Sequence, residues 1–414
     1  MGFRIHTLAK KMRIGFLTSI YPTHAERIYR ENPTLKNQKS DHQMDFIRWN
    51  AALSTTVNRM DFLMEKGINI CNFNIGLSNV NIKWANENRF IPVTKKSNLE
   101  IGIEKIRRFK PDIIYCLAPL IYINNSFISE LLSSLNKKPK LVGWYGANCG
   151  NENIFSNFDL TLSNSKNLVS SLRSKGYKSK LLQHSFELDI LKKIKVSKKI
   201  KNRISFFGNL NMDKDFYERS KTIESIKSEI KYFDIFAEAH CPKKKCEYKY
   251  EMIKIRHKTS KFLMKLYPKF KKSKWADEEF LPKSPWELSK KFTKSVNNAL
   301  YGKEMFEKLS QYRMTFNKHN NHTGDVACNM RIFEATGMGK TLVTDNKSDI
   351  SDYFLADEEV VVYNNKCEAI EKIKYLNENP NVSESIARKG QLKCHNSHNS
   401  KIINERLFNI LVNL

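Results

Sequence analysis

The sequence predicts an α/β protein of two Rossmann-like halves in series, their sheets facing across a cleft, with a basic helical insertion in the second half. Three observations lead there. Short apolar runs alternate with longer amphipathic stretches, a polar break near residue 196 is followed by a restart of that rhythm, and the chain of 414 residues has the length of two domains. Hydrophobic residues at 41% and aromatics at 11% supply two cores, while only 15 Gly and 11 Pro exclude collagen-like and low-complexity chains.

In the first half, residues 1–195, the runs Arg13 to Thr18, Ile68 to Phe73, Asp112 to Leu117, Leu141 to Tyr145, Leu160 to Ser163 and Lys180 to His184 read as strands. Amphipathic stretches over Met44 to Lys66, Leu99 to Phe109, Ser126 to Leu135 and Lys166 to Lys175 read as the helices between them. Strand-helix-strand order requires a parallel sheet. Lys192 to Asn202 is charged and lacks apolar periodicity, so the domain boundary falls there. The second half, residues 196–395, has strand candidates at Arg203 to Gly208, Tyr232 to Ala237, Met314 to Asn317, Thr341 to Thr344 and Glu359 to Tyr363. Helices fit Tyr217 to Ile230, Gly302 to Leu309, Met330 to Gly337, Cys367 to Leu376 and Val382 to Arg388, and a closing helix occupies residues 396–414. In such an architecture the ligand binds in the cleft at the carboxyl ends of the strands.

Lys and Arg number 71 against 43 Asp and Glu, a formal charge of +28, which draws in nucleotides, nucleic acid or acidic lipid. A Lys- and Asn-rich vocabulary also follows from an AT-rich genome, so the excess by itself selects no partner. Much of it lies in the insertion, residues 241–294, where 17 Lys/Arg outnumber 6 Asp/Glu and nine aromatics are interleaved. Such a segment suits an anionic membrane, a nucleic-acid strand or an acidic glycan. Phe262, Lys265, Leu266 and Phe270 also fit an ordinary helix, so the aromatics are expected to pack and the lysines to be solvated. No helix-turn-helix, zinc finger or aromatic strand motif is present, so no specific nucleic acid is expected, although a nucleic-acid-binding protein is the main alternative. Met1 to Met12 lacks the apolar core of a secretory leader and no run approaches the ~20 residues of a membrane span, which leads us to expect a cytoplasmic protein, open to peripheral contact at the inner face of the membrane. The eight scattered cysteines are expected to stay reduced, and His240-Cys241-x4-Cys246 lacks the second ligand pair of a zinc site.

The densest chemistry lies between Met314 and Asp345. A strand ending at Asn317 leads through a polar loop to a helix bearing Arg331 and Glu334, then to a Gly337-Met338-Gly339 turn and a strand ending at Thr344-Asp345. A carboxylate on the first turns of that helix can accept two hydrogen bonds from a ribose diol, and the helix N-terminus and Arg331 offer positive potential to a diphosphate. Asp213-x-Asp215 could be a metal-holding pair, but it follows a Gly loop beside Arg219, which already supplies positive charge. His24 is the candidate acceptor-activating base of the first half, with His42 and Asp45 further on. His395 and His398 are expected in a solvated helix cap.

This block resembles the CgeB-type, or spore maturation protein-like, glycosyltransferases. The resemblance rests on Asn317-x-His319, Asp325, Asn329-x-Arg331-x-Phe333-Glu334-Ala335-Thr336-Gly337-x-Gly339, Thr344-Asp345, Phe354, Glu359-Val360-x-x-Tyr363 and Ile386-Ala387-x-x-Gly390-Gln391. Weaker likeness extends over most of residues 158–410. It implies a GT-B fold and transfer of a sugar from a nucleotide-sugar donor to a cell-envelope glycan, a lipid-linked glycan or a protein. It also implies a donor held by Gly208, Asn209, Arg219, Asn317, His319, Asn329, Arg331, Glu334, Thr336 and Gly337. Related enzymes carry a further acid eight residues before the ribose-binding Glu; here Val326 occupies that position and Asp325 stands one residue away. Metal-independent transfer, without any cofactor, is the expectation. A non-transferring relative, such as a sugar-nucleotide epimerase, is a second alternative.

Overall fold

The computed structural model describes residues 12–20, 22–50, 55–92, 97–117, 124–146, 152–210, 216–238, 244–266, 288–321 and 324–414. Its contacts gather into two compact units: Met1–Ile204 with Tyr301–Leu414, and Ser205–Leu300.

The first sheet is built from β1 (Arg13–Thr18), β2 (Asn69–Asn74), β3 (Ile113–Cys116), β4 (Lys140–Trp144), β5 (Leu160–Ser163) and β6 (Ser179–Leu181), in the spatial order β2-β1-β3-β4-β5-β6. Every neighbouring pair is parallel. Its strands are buried on both faces, which explains why each reads as a nearly continuous apolar run. On one face Ile14, Phe16, Ile113, Tyr115 and Leu162 pack with helix α3 (Thr55–Glu65) and the C-terminal helix α16 (Ser400–Val412) through Met60, Leu63, Ile403, Leu407 and Leu411. On the other face Leu17, Phe73 and Ile114 meet α5 (Ser97–Phe109), α6 (Asn125–Ser133) and α7 (Lys166–Ser174) through Ile106, Phe127, Leu131, Leu168 and Leu172. The chain's end is thus tied to the first sheet. The Phe186 N–H donates to the His398 carbonyl at 2.9 Å and the Ser400 N–H to the Phe186 carbonyl at 2.8 Å.

Several expectations are revised. The single helix expected over Met44 to Lys66 is two, α2 (Ser40–Asn50) and α3. Two helices were not anticipated, α1 (Pro22–Glu31) and α4 (Ser78–Glu87). The first starts on a proline, whose missing N–H costs nothing at that position, and buries Ala25, Ile28 and Tyr29 at helical spacing against Ile47, Leu77 and Val80. The strand expected at Lys180 to His184 is the shorter β6. A four-residue helix, α8 (Ile190–Lys193), sits within the polar bridge.

The second sheet is formed by β7 (Lys201–Asn209), β8 (Phe233–Glu238), β9 (Val296–Asn297), β10 (Tyr312–Asn317), β11 (Thr341–Asp345) and β12 (Val361–Tyr363), in the order β12-β11-β10-β7-β8-β9. The edge strand β9 had no sequence signal, being two residues long. In the unit Ser205–Leu300 lie α9 (Tyr217–Glu229), α10 (Lys244–Leu266) and α11 (Lys290–Lys294). In the other unit lie α12 (Gly302–Ser310), α13 (Arg331–Gly337), α14 (Lys366–Glu378) and α15 (Pro380–Ser397). No described helix is long and apolar enough to cross a membrane.

Candidate functional site

Strands β10, β11 and β12 run parallel and end side by side, with Asn317 opposite Thr344 and Asp345 opposite Tyr363. In open α/β sheets ligands bind beyond such carboxyl ends. The residues gathered there are polar yet almost fully buried: Asn317, His319, Thr344 and Asp345 are between 0% and 4% exposed.

Buried polar groups need partners, and most of these have them. Asn317 Nδ2 donates to Thr344 Oγ1 at 2.9 Å, and the Tyr363 hydroxyl donates to the Asn317 carbonyl at 3.0 Å. The His319 N–H donates to Asp345 Oδ1 at 2.9 Å, and His319 Nδ1 lies 2.7 Å from the same oxygen. Lys318 Nζ and Lys347 Nζ stand 3.4 and 3.9 Å from Asp345 Oδ2. Burial by itself would push the Asp345 carboxyl up. The hydrogen bond and charge of His319, the charge of Lys318 and the His319 N–H outweigh it and hold the group well below the usual carboxylate range. Asp345 is therefore an anion at neutral pH and only accepts, which places a hydrogen on His319 Nδ1. The other ring nitrogen, Nε2, is buried and has no partner among the described residues.

Asn329 connects this cluster to α13. Its Nδ2 donates to Asn317 Oδ1 at 2.8 Å while its Oδ1 accepts the Arg331 N–H at 2.9 Å. One N–H at the start of α13 is thus already taken. One turn on, Arg331 Nη1 meets Glu334 Oε2 at 2.7 Å, with side chains only 15% and 12% exposed, and the same Nη1 lies 3.1 Å from Met305 Sδ. A guanidinium and a carboxylate are thus held together on the helix whose first N–H is bonded, through Asn329, to the cluster built on Asn317.

Thr336 and Gly337, expected among the ligand contacts, are buried on α13. Thr336 is fully buried and its hydroxyl donates to the Ile332 carbonyl at 2.6 Å. A Cβ on Gly337 would stand 2.2 Å from Phe186 Cγ, so the glycine is what lets α13 approach that ring. Two residues on, Gly339 adopts φ +63°, the left-handed conformation that glycine takes without strain. Asp325 is exposed, and its carbonyl accepts from the Ser348 N–H and hydroxyl, while Val326 is buried. His395 and His398 correct a second expectation: neither is a solvated cap. His395 Nε2 bonds the Gly337 carbonyl at 2.8 Å and the ring stacks on Phe186, whereas His398 is buried against the Tyr353 carbonyl.

His24, on α1, stacks on Tyr301 at 4.8 Å and lines a crevice of about 210 Å³ with Arg27, Glu31, Phe46 and Glu304. Burial, followed by the charge of Arg27, lowers its pKa to about 4, which makes it neutral at pH 7 and a weak base. His42 and Asp45 lie on the exposed side of α2.

In the unit Ser205–Leu300, Gly208 and Asn209 close β7, and Arg219 lies 7% exposed on α9 with its guanidinium over the rings of Phe206 and Phe216 at 5.2 and 5.6 Å. A Cβ on Gly208 would reach to 2.1 Å from Arg219 Nη2, so this glycine makes room for the cation. Asp213 and Asp215 lie outside the described residues, as do His240 and Cys241. Among the described residues no group of three His, Cys, Asp or Glu side chains is gathered for a metal. Sequence reasoning overlooked Asp345, Lys318, Lys347 and Tyr363 as site members. The signal for Asp345 was present, since an acid that ends a core strand lies where ligands bind.

Residues 261–409 match a family model described as glycosyl transferase-like. A comparison with curated proteins gave no match. Among solved structures, a glycosyltransferase from Rickettsia africae is similar with a TM-score of 0.54 at 10% identity, covering 97% of each chain. An α-glucosyltransferase in complex with UDP and a 13-mer DNA is similar with a TM-score of 0.56 at 12% identity, over 97% of this chain and 100% of that one. Anabaena HepE in complex with UDP and glucose gives 0.53 at 11%, over 97% and 100%. These likenesses establish the fold, a two-sheet α/β arrangement of the GT-B type.

Proposed function

We propose that this protein is a glycosyltransferase of the CgeB type that moves a sugar from a nucleotide-sugar donor to a cell-envelope glycan, a lipid-linked glycan or a protein. The observation that carries the reading is the buried polar run at the ends of β10 to β12: Asp345 holds His319, Asn317 holds Asn329, and Asn329 leads to the Arg331–Glu334 pair. The glycosyl transferase-like match over residues 261–409 supports it. Neighbours solved with UDP make a uridine diphosphate sugar the first donor to test.

In this reading Glu334 accepts hydrogen bonds from the ribose diol, and Arg331, released from full neutralisation by that carboxylate, faces the diphosphate. His319 Nε2, oriented by Asp345, provides a third contact. Transfer breaks the bond between the anomeric carbon and the terminal phosphate oxygen through an oxocarbenium-like state, and the departing diphosphate takes the electron pair. Fixed cations stabilise that developing charge without reorganisation at the moment of reaction. Such cations leave no requirement for a divalent metal, so transfer should survive a chelator. Arg219, with Gly208 and Asn209, is proposed as a phosphate-facing cation of its own unit.

The test is a thermal-shift panel of UDP-, GDP-, dTDP- and CMP-sugars, with and without chelator. A donor at about 100 times its Kd should stabilise the fold by about 2.7 kcal/mol. If no nucleotide sugar shifts the melting temperature, the reading is wrong. A donor that is converted with no acceptor present points to an epimerase instead.

A further inference from the structure

The helix α10 (Lys244–Leu266) carries apolar residues on two opposed faces. His257 is 6% exposed, and Ile253 and Met264, at helical spacing from it, are half-buried. On the other side Tyr248 is 70% exposed, Met252 48%, Ile255 57%, Phe262 62% and Leu266 56%. Steps of four, three, seven and four residues along a helix of 3.6 per turn keep these five side chains within about 40° of one line. The result is a solvent-facing apolar stripe five turns long, crossed at its middle by exposed Thr259. Exposed Arg256, Lys258 and Lys261 and half-exposed Lys254 lie beside and behind it. The helix as a whole holds eight Lys/Arg against two Glu.

We propose that this stripe docks the protein on an anionic lipid surface, lying in the membrane plane with Tyr248, Met252, Ile255, Phe262 and Leu266 entering the acyl boundary and the flanking lysines meeting the headgroups. Charge complementarity decides the occupant. A second copy would bring two strongly cationic helices together along one seam, where like charges oppose pairing. An anionic leaflet attracts the same lysines, each by several-fold in binding, while the long aliphatic stems let the ammonium groups reach up to the headgroups. An apolar face with a basic flank and little total hydrophobicity is the composition of a helix that lies on a membrane, not one that crosses it. The sequence expectation that these aromatics pack inside is thereby revised for Tyr248 and Phe262. The inference does not rest on the proposed donor contacts: none of the stripe residues is among them, and the cluster of Asn317, His319, Arg331 and Glu334 belongs to the other unit.

The experiment is co-sedimentation with vesicles of phosphatidylcholine alone and of phosphatidylcholine with about one-third phosphatidylglycerol. The wild type should bind the anionic vesicles at least tenfold more tightly than the neutral ones. Raising salt from about 0.1 M to about 1 M, which shortens the screening length from about 10 Å to about 3 Å, should weaken it. Ile255→Ser with Phe262→Ser, and separately Arg256→Glu with Lys258→Glu, should each lose at least tenfold while donor-induced thermal shifts stay as in the wild type. Hydrogen exchange on the wild type alone should show α10 protected by anionic vesicles, a readout that survives if a variant fails to fold. Wild type left in the supernatant at low salt, a stripe variant that binds normally, or an unprotected α10 would overturn the proposal. So would stripe-dependent dimerisation, or retention by a DNA oligonucleotide but not by vesicles.

Discussion

Replacing Glu334 by glutamine keeps the side chain's volume and one carbonyl acceptor while removing its charge, which makes it the cleanest probe of the donor site. Glu334 Oε2 lies 2.7 Å from Arg331 Nη1 and the two side chains are 12% and 15% exposed, so the bond is charge-assisted and only partly solvated. A hydrogen bond to a charged group contributes about 1.5 to 3 kcal/mol. If the ribose diol bonds this carboxylate, the variant should bind uridine and UDP about ten- to 150-fold more weakly. Arg331→Gln should separate the two ligands, losing more affinity for UDP than for uridine, because its proposed partner is phosphate. Isothermal titration of uridine and UDP against wild type and both variants measures this, with circular dichroism to verify folding. A folded Glu334→Gln protein whose Kd values for both ligands lie within twofold of the wild type would falsify the assignment.

Asp345→Asn should flatten the acid limb of stability. A carboxyl held below its ordinary value contributes stability that is complete above the unfolded pKa of about 3.9 and is lost as pH falls towards the folded value. Melts between pH 5 and pH 3 should therefore decline more steeply in the wild type than in the variant, and equal slopes would refute the His319–Asp345 pair. His24 works through burial: its pKa is lowered from 6.5 to about 4, so the unfolded chain binds more protons between those values, and stability is full above that window and falls as pH drops through it. His24→Asn should shrink the difference in melting temperature between pH 7 and pH 5; an unchanged difference would remove the argument. Gly337→Ala forces a methyl to 2.2 Å from the root of the Phe186 ring and should cost about 1 to 3 kcal/mol of stability, read as a lower melting temperature; an unaltered one would show that the approach is not tight.

Much of this protein is legible in its sequence, and the reason is local. β1 and β5 are where the apolar runs Arg13 to Thr18 and Leu160 to Ser163 place them, because a parallel strand buried on both faces must be apolar throughout. The segment from Asn329 to Gly339 is legible through its resemblance to a family motif, and Arg331 and Glu334, three apart on one helix, are spaced so that they can meet once that helix forms. α1 and α4 escaped notice because their buried faces are short and interrupted by Asn and His. What only the tertiary structure decided depends on distant residues. His319 and Asp345 are 26 positions apart and become partners through the parallel register of β10 and β11. Gly337 owes its requirement to Phe186, from the far half of the chain, and Thr336 is fully buried with its hydroxyl on the Ile332 carbonyl. The stripe on α10 makes the division plainest: its spacing is written in the sequence, but an apolar face at helical period is equally a core face or a docking face. Which of the two it is depends on whether the rest of the chain covers it, and that is a property of packing, not of the pattern.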